Sequence, residues 1–222
     1  MIFITGDTHR DIDIAKLKSR RFPQGRELTK QDFVIICGDF GMVWDGSNTD
    51  KYWQKWLSRK PWTTLFVDGN HENFDMLNNL ETVPMFGSHV GKVTDSIYHL
   101  RRGHVYEINN NTFFTMGGAS SHDKIYREEG ISWWPQEMIS DTEINTALDT
   151  LEKYDYTVDY VITHCAPNRC LNPNFEHDKC TNFLEHVAQH TQFKKWFYGH
   201  YHKDKQNEQF YAIHNKIMKI DT

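Results

Sequence analysis

Five apolar runs along the chain stop abruptly at polar residues: "MIFITGDTH", "DFVIICGDF", "TTLFVDGNH", "VDYVITHC" and "KWFYGHYH". Runs so continuously apolar, and so rich in Val, Ile and Phe, predict strands buried on both faces. Between the first two lies "RDIDIAKLKSR". Between the second and third lies "TDKYWQKWLSRK", where Tyr52, Trp53, Trp56 and Leu57 fall at helical spacing before Pro61. Strand and helix alternate with about thirty residues per unit, the rhythm of right-handed βαβ crossovers in a parallel sheet.

The middle third changes period. "HVYEINNNTFFTMGG", residues 104 to 118, predicts two strands around an Asn-rich turn, because asparagine tolerates the positive φ of a tight hairpin. "SDTEINTALDTLEKYD" predicts a helix opened by a Ser140/Glu143 capping box, with Ile144, Leu148 and Leu151 as its buried stripe. "QFYAIHNKIMKI" predicts one or two closing strands. With no linker, repeat or low-complexity segment, residues 1–222 are expected to form a single α/β domain containing parallel and antiparallel strands.

Composition narrows the function classes. A formal net charge of -5 argues against a broad basic surface for nucleic acid, and the densest basic run, "KLKSRRFPQGR", reads as a solvated face. No stretch approaches the roughly 18 apolar residues of a membrane helix, and the N-terminus opens directly into a strand. A cytoplasmic protein without a membrane partner is therefore expected. Cys37, Cys165, Cys170 and Cys180 read as free thiols; with His177, the last three follow no familiar zinc spacing. The seven tryptophans read chiefly as core.

Parallel strands deliver their carboxyl ends to one edge of a sheet, so residues distant in sequence converge there. This collects Asp7, His9, Asp39, Asn70, His71, His164, His200 and His202. In extended backbone, Asp7 with His9 and His200 with His202 would each present two side chains to one ion. A set of carboxylate, imidazole and amide oxygen without thiolate suits Mn, Fe, Zn, Co or Ni better than Ca, and argues against a closed structural zinc site. One histidine at a strand end is ordinary packing and one Gly-Asp is ordinary turn chemistry. Five strand ends supplying ligands together are not.

"GDTH", "GDF", "GNHE", "THCAP" and "GHYH", in this order over residues 6 to 202, resemble the calcineurin-like metallophosphoesterase superfamily in a small prokaryotic or phage-type form. The resemblance implies an αββα sandwich of two mixed sheets with two divalent ions at the strand ends, manganese first and Fe, Zn, Co or Ni behind it. It implies that Asp7, His9 and His202 hold one ion, that Asp39 bridges to the second, and that Asn70, His164 and His200 complete that site. A metal-bridging hydroxide would attack phosphorus in line, and His71 would protonate or hydrogen-bond the leaving oxygen.

The chain departs from protein serine/threonine phosphatases. The Asp-Arg pair those members carry after the second motif is replaced by residues within Gly41 to Trp44, and Asp68 stands where they have an arginine. The expected activity is hydrolysis of a phosphodiester or nucleotide. Alternatives are a nuclease with the same centre, a phosphomonoesterase, and a non-catalytic scaffold. A small phosphorylated substrate is expected, with nucleic acid less favoured and no obligate protein partner. Arg10, Asp123 and Arg127 are candidate substrate contacts, and Trp133 and Trp134 candidate pocket walls. No GxxxxGKS/T loop, HExxH helix or GxSxG elbow offers another chemistry.

Overall fold

Alternation along the buried strands decides the layering. In β1 (Ile2–Thr5), Ile2 and Ile4 enter one apolar cluster and Phe3 another. In β2 (Phe33–Ile36), Phe33 and Ile35 join the first cluster, Val34 and Ile36 the second. Successive strand side chains face opposite ways, so a strand apolar at every position must be covered twice. The structure, a computed structural model, describes residues 1–220.

One sheet contains β1, β2, β3 (Thr63–Phe66), β4 (Glu81–Met85), β5 (Ser88–Thr94), β6 (Ile97–Leu100) and a C-terminal strand, Ile217–Ile220. The other contains β7 (His104–Ile108), β8 (Asn111–Met116), β9 (Tyr160–Thr163), β10 (Lys195–Tyr198), β11 (Lys205–Asn207) and β12 (Phe210–Ala212). With Ile217–Ile220 as β13, the orders are β13-β1-β2-β3-β6-β5-β4 and β11-β12-β10-β9-β8-β7. Both sheets are mixed. In the first, β1, β2, β3 and β6 run parallel between antiparallel edges; in the second, β8, β9, β10 and β12 do so.

The inner faces meet in a cluster that includes Ile4, Leu65 and Val67 from one sheet and Phe113, Ile162 and Phe197 from the other. Outside the first sheet, Phe66 shares a cluster with Leu57 of α1 (Asn48–Ser58) and Leu77 of α2 (Phe74–Asn78). Outside the second, Phe114, Val161 and Trp196 pack with Leu151 of α3 (Asp141–Lys153) and Leu184 of α4 (Lys179–His190). The result is the four-layer αββα sandwich.

Most expected elements form. Asn109 and Asn110 turn the β7–β8 hairpin at φ 50° and 63°, and the Ser140/Glu143 capping box opens α3. Ala147 and Leu151 are buried on α3, whereas Ile144 and Leu148 lie only partly buried against the same cluster. The first crossover differs from expectation. In place of an α-helix it holds two short 3-10 turns, Ile14–Leu17 and Pro23–Arg26, with Lys16 buried and Ile12 exposed. Lys16 is drawn inward because its ammonium finds the backbone carbonyls of Asp7 and His214. Among the described residues, no helix is long and apolar enough to cross a membrane.

Candidate metal centre

The polar ends of β1, β2, β3, β9 and β10 converge. Asp7 is wholly buried and Asp39 is 1% exposed, two carboxylates withdrawn from water at one place. Asp39 touches both sides of the centre: Oδ2 lies 3.1 Å from His9 Nε2, and Oδ1 lies 3.3 Å from His164 Nε2. Asp7 Oδ2 lies 3.2 Å from His202 Nε2. His164 Nε2 also meets Asn70 Oδ1 at 3.1 Å. The His200 ring packs edge-on against His164 with centroids 5.0 Å apart, and its backbone N–H donates to Asp7.

Three glycines make this closeness possible. A Cβ at Gly69 would lie 2.0 Å from Asp39 Oδ1, one at Gly199 2.1 Å from Asp7 Oδ1, and one at Gly38 2.1 Å from the His164 ring. The glycines of these three motifs thus leave room for a polar side chain brought from the end of another strand.

The backbone corrects one sequence argument. β1 ends at Thr5 and β10 at Tyr198, so the Asp7/His9 and His200/His202 pairs lie beyond extended chain. His9, Asp39, His200 and His202 instead occupy left-handed φ between 41° and 63°. Strain of this kind persists where surrounding structure over-determines it, and functional sites are where it collects.

Outer partners aim the rings. The Asp13 carboxylate accepts from His9 Nδ1 at 2.8 Å, and the Cys37 carbonyl accepts from His164 Nδ1 at 2.8 Å, so both Nε2 atoms face Asp39. Asn70 Nδ2 donates to Ser121 Oγ at 3.0 Å, and Ser121 in turn donates to Glu137 at 2.6 Å, which turns the Asn70 oxygen toward the centre. Carboxylate and carbonyl partners of this kind fix ligand orientation at metal sites. Glu72, fully buried, accepts the Phe40 and Gly41 amides at 2.7 and 3.3 Å and braces the turn after Asp39.

Burial alone would raise the Asp39 carboxyl and lower the His164 imidazole. Their mutual contact outweighs it, holding Asp39 well below the usual carboxylate range and pushing His164 up to about 10. His9, also opposed by burial but facing Asp39, rises to about 9. His200 goes the other way, pushed to about 3 by burial and the nearby His164.

Among the described residues, the ion-pair partners of Asp7 and Asp39 are all histidines. Two buried carboxylates require compensating positive charge at this place. A donor set of carboxylates, imidazoles and an amide oxygen fits divalent transition metals well. Every three-residue group of metal-capable side chains found among the described residues falls at this place: Asp7/Asp39/His164, His9/Asp39/His71 and Asp7/His202/His214. The four cysteines are free thiols.

The substrate-facing expectations divide. Arg127 Nη1 donates to His71 Nδ1 at 3.1 Å and Arg127 Nη2 pairs with Asp123 at 2.8 Å, so these residues reach the centre through His71. Arg10 lines a depression of about 150 Å³ with His9, Trp44 and His71, but its guanidinium is held by Asp50 at 3.1 Å and Asp45 at 3.7 Å. Trp134 is not a pocket wall: it is 3% exposed in the core, with its ring N–H donating to Asp75. Sequence reasoning missed His214, which no motif contains, and the bracing roles of Asp13, Glu72 and Ser121.

The layered fold gathers metal-capable residues at the ends of strands from both sheets. The family model for calcineurin-like phosphoesterases matches residues 1–204, and the chain belongs to that family. It is a metal-dependent phosphoester hydrolase by family. A comparison with curated proteins finds no match.

Proposed function

We propose that the chain hydrolyses a phosphodiester or nucleotide at a two-metal centre. Asp7, His9, Asp39 and His202 would hold one ion; Asp39, Asn70, His164 and His200 would hold the other, with Mn as the first candidate metal. The observation that carries this reading is the position of Asp39, one carboxylate oxygen toward His9 and the other toward His164. Divalent ions there would make water acidic enough to attack phosphorus near neutral pH and would offset charge on the phosphoryl oxygens.

The protein groups supply the rest. A guanidinium has no acceptor, so the Arg127 hydrogen bond requires a lone pair on His71 Nδ1 and places the neutral ring's proton on Nε2. Burial, with Arg127 nearby, lowers the His71 pKa despite Asp39, which keeps the ring neutral at pH 7. His71 is thus prepared to donate a hydrogen bond from Nε2–H to a leaving oxygen. The depression beside it, walled by Ile12 and Trp44, suits the organic group of a diester.

His71→Ala is expected to lower kcat by about 10²-fold or more on a diester with an alkoxide leaving group, and far less on bis-p-nitrophenyl phosphate, whose leaving group needs no proton. Equal losses on both would remove His71 from that role. Comparing bis-p-nitrophenyl phosphate with p-nitrophenyl phosphate on the Mn²⁺-loaded protein tests the substrate class. A faster diester is expected, and a faster monoester would make the chain a phosphomonoesterase.

A further inference from the structure

His214 lies outside the five motifs, yet three independent devices hold it against Asp7. The chain at residues 213–214 passes so close to β1's end that a Cβ on Gly6 would lie 2.0 Å from the Ile213 carbonyl and 2.7 Å from His214 Cα. The Asp204 carboxylate accepts the backbone N–H groups of His214, Asn215 and Lys216 at 2.9, 3.2 and 3.1 Å. Buried Lys16 donates both to the Asp7 carbonyl at 2.6 Å and to the His214 carbonyl, tying the two backbones through one ammonium.

The ring delivered by this framework stacks on His202, with centroids 4.7 Å apart and planes at 25°. One nitrogen each of His202 and His214 and one Asp7 oxygen lie within 4.8 Å of one another. His214 Nδ1 is buried without a hydrogen-bond partner among the described residues. Buried polar atoms are normally paired, and an exception marks a group whose partner is a water, ion or ligand. Here the unpaired atom belongs to a ring already gathered with two other donors.

We propose that His214 is a further ligand of the metal ion held by Asp7 and His202. The inference rests on the two-metal reading above and adds a protein nitrogen from outside its motifs. The extra imidazole occupies a coordination position that water or substrate would otherwise take. It also shifts the first site toward nitrogen-preferring metals such as Fe, Co, Ni and Zn, and away from Mg. Asp204 and Lys16 become positioning residues for that ligand.

The test is a titration of metal-stripped wild type and His214→Ala with Co²⁺, following d–d absorption and bound metal. The wild type is expected to take up two ions. The variant should fill one site unchanged and bind the other at least about 10–100-fold more weakly, since even outer partners of ligands cost that much, with an altered absorption band. Two ions bound by both proteins with equal affinity and identical spectra would overturn the ligand assignment and leave the two-metal reading standing. No Co²⁺ bound by the wild type would overturn both. In case the variant misfolds, ¹⁵N-histidine NMR of the wild type with Zn²⁺ reads the same point: a His214 ring nitrogen shifting on metal addition supports the assignment, and an unmoved one overturns it.

Discussion

Asp39→Asn is expected to lower metal-dependent phosphoester hydrolysis by about 10³-fold or more while the chain stays folded. The asparagine carbonyl keeps the size of the carboxylate and can still accept the His71 backbone N–H, which Asp39 Oδ1 takes at 2.9 Å. It loses the second anionic oxygen. An amide lends one neutral oxygen to a cation, whereas the Asp39 carboxylate faces His9 and His164 at once. The measurement is kcat on bis-p-nitrophenyl phosphate beside a thermal melt of the metal-free protein. A variant retaining about a tenth of the rate, a barrier change of only ~1.4 kcal/mol, would show that Asp39 does not join the two halves of the centre.

Asp68→Asn is expected to cost about 3–5 kcal/mol of folding stability. Asp68 is 1% exposed. Its Oδ2 accepts from Arg102 Nε and Nη2 at 2.8 and 2.6 Å, and Oδ1 lies 3.0 Å from His99 Nε2. Burial would raise this carboxyl, but Arg102 and His99 outweigh it and hold Asp68 below its usual range. With an amide in its place, Arg102 remains buried and charged, facing only the partly exposed Glu143. Thermal unfolding should fall by about 6–20 °C, at roughly 2–4 °C per kcal/mol for a chain of this size. Replacing Asp68 and Arg102 together by leucine should cost less than Asp68→Asn alone, because no buried charge is left behind. Near-wild-type stability of Asp68→Asn would contradict this account.

The same residue shows why the sequence spoke unevenly. Asp68 stood out only as the replacement for a family arginine; its partners Arg102 and His99 are more than thirty residues away and at no readable spacing. The strands β1, β2, β3, β9 and β10 were legible because both faces are buried, so most positions are apolar and the few polar ones are chiefly threonines. The β4–β5–β6 meander was not, because its outer strands are only half-buried and carry Lys, His, Pro and Thr among their few apolar residues. Helix α4 carries a readable signal in its Asp178 cap and in the helical period of the buried Phe183, Leu184 and Val187.

At the site, the motifs identified which residues meet but not how. His9 and His202 reach the centre through left-handed turns, which an expectation of extended backbone misses. His214 had no local signal at all, since its placement depends on Asp204, Lys16 and Gly6 acting from elsewhere in the chain.

The most direct measurement is the rate of bis-p-nitrophenyl phosphate hydrolysis by metal-stripped protein as Mn²⁺ is added, with bound metal counted at each step. The account predicts negligible rate without metal and a rise that saturates as the second ion per chain binds. A rate independent of added metal, or no rate with two ions bound, would contradict it.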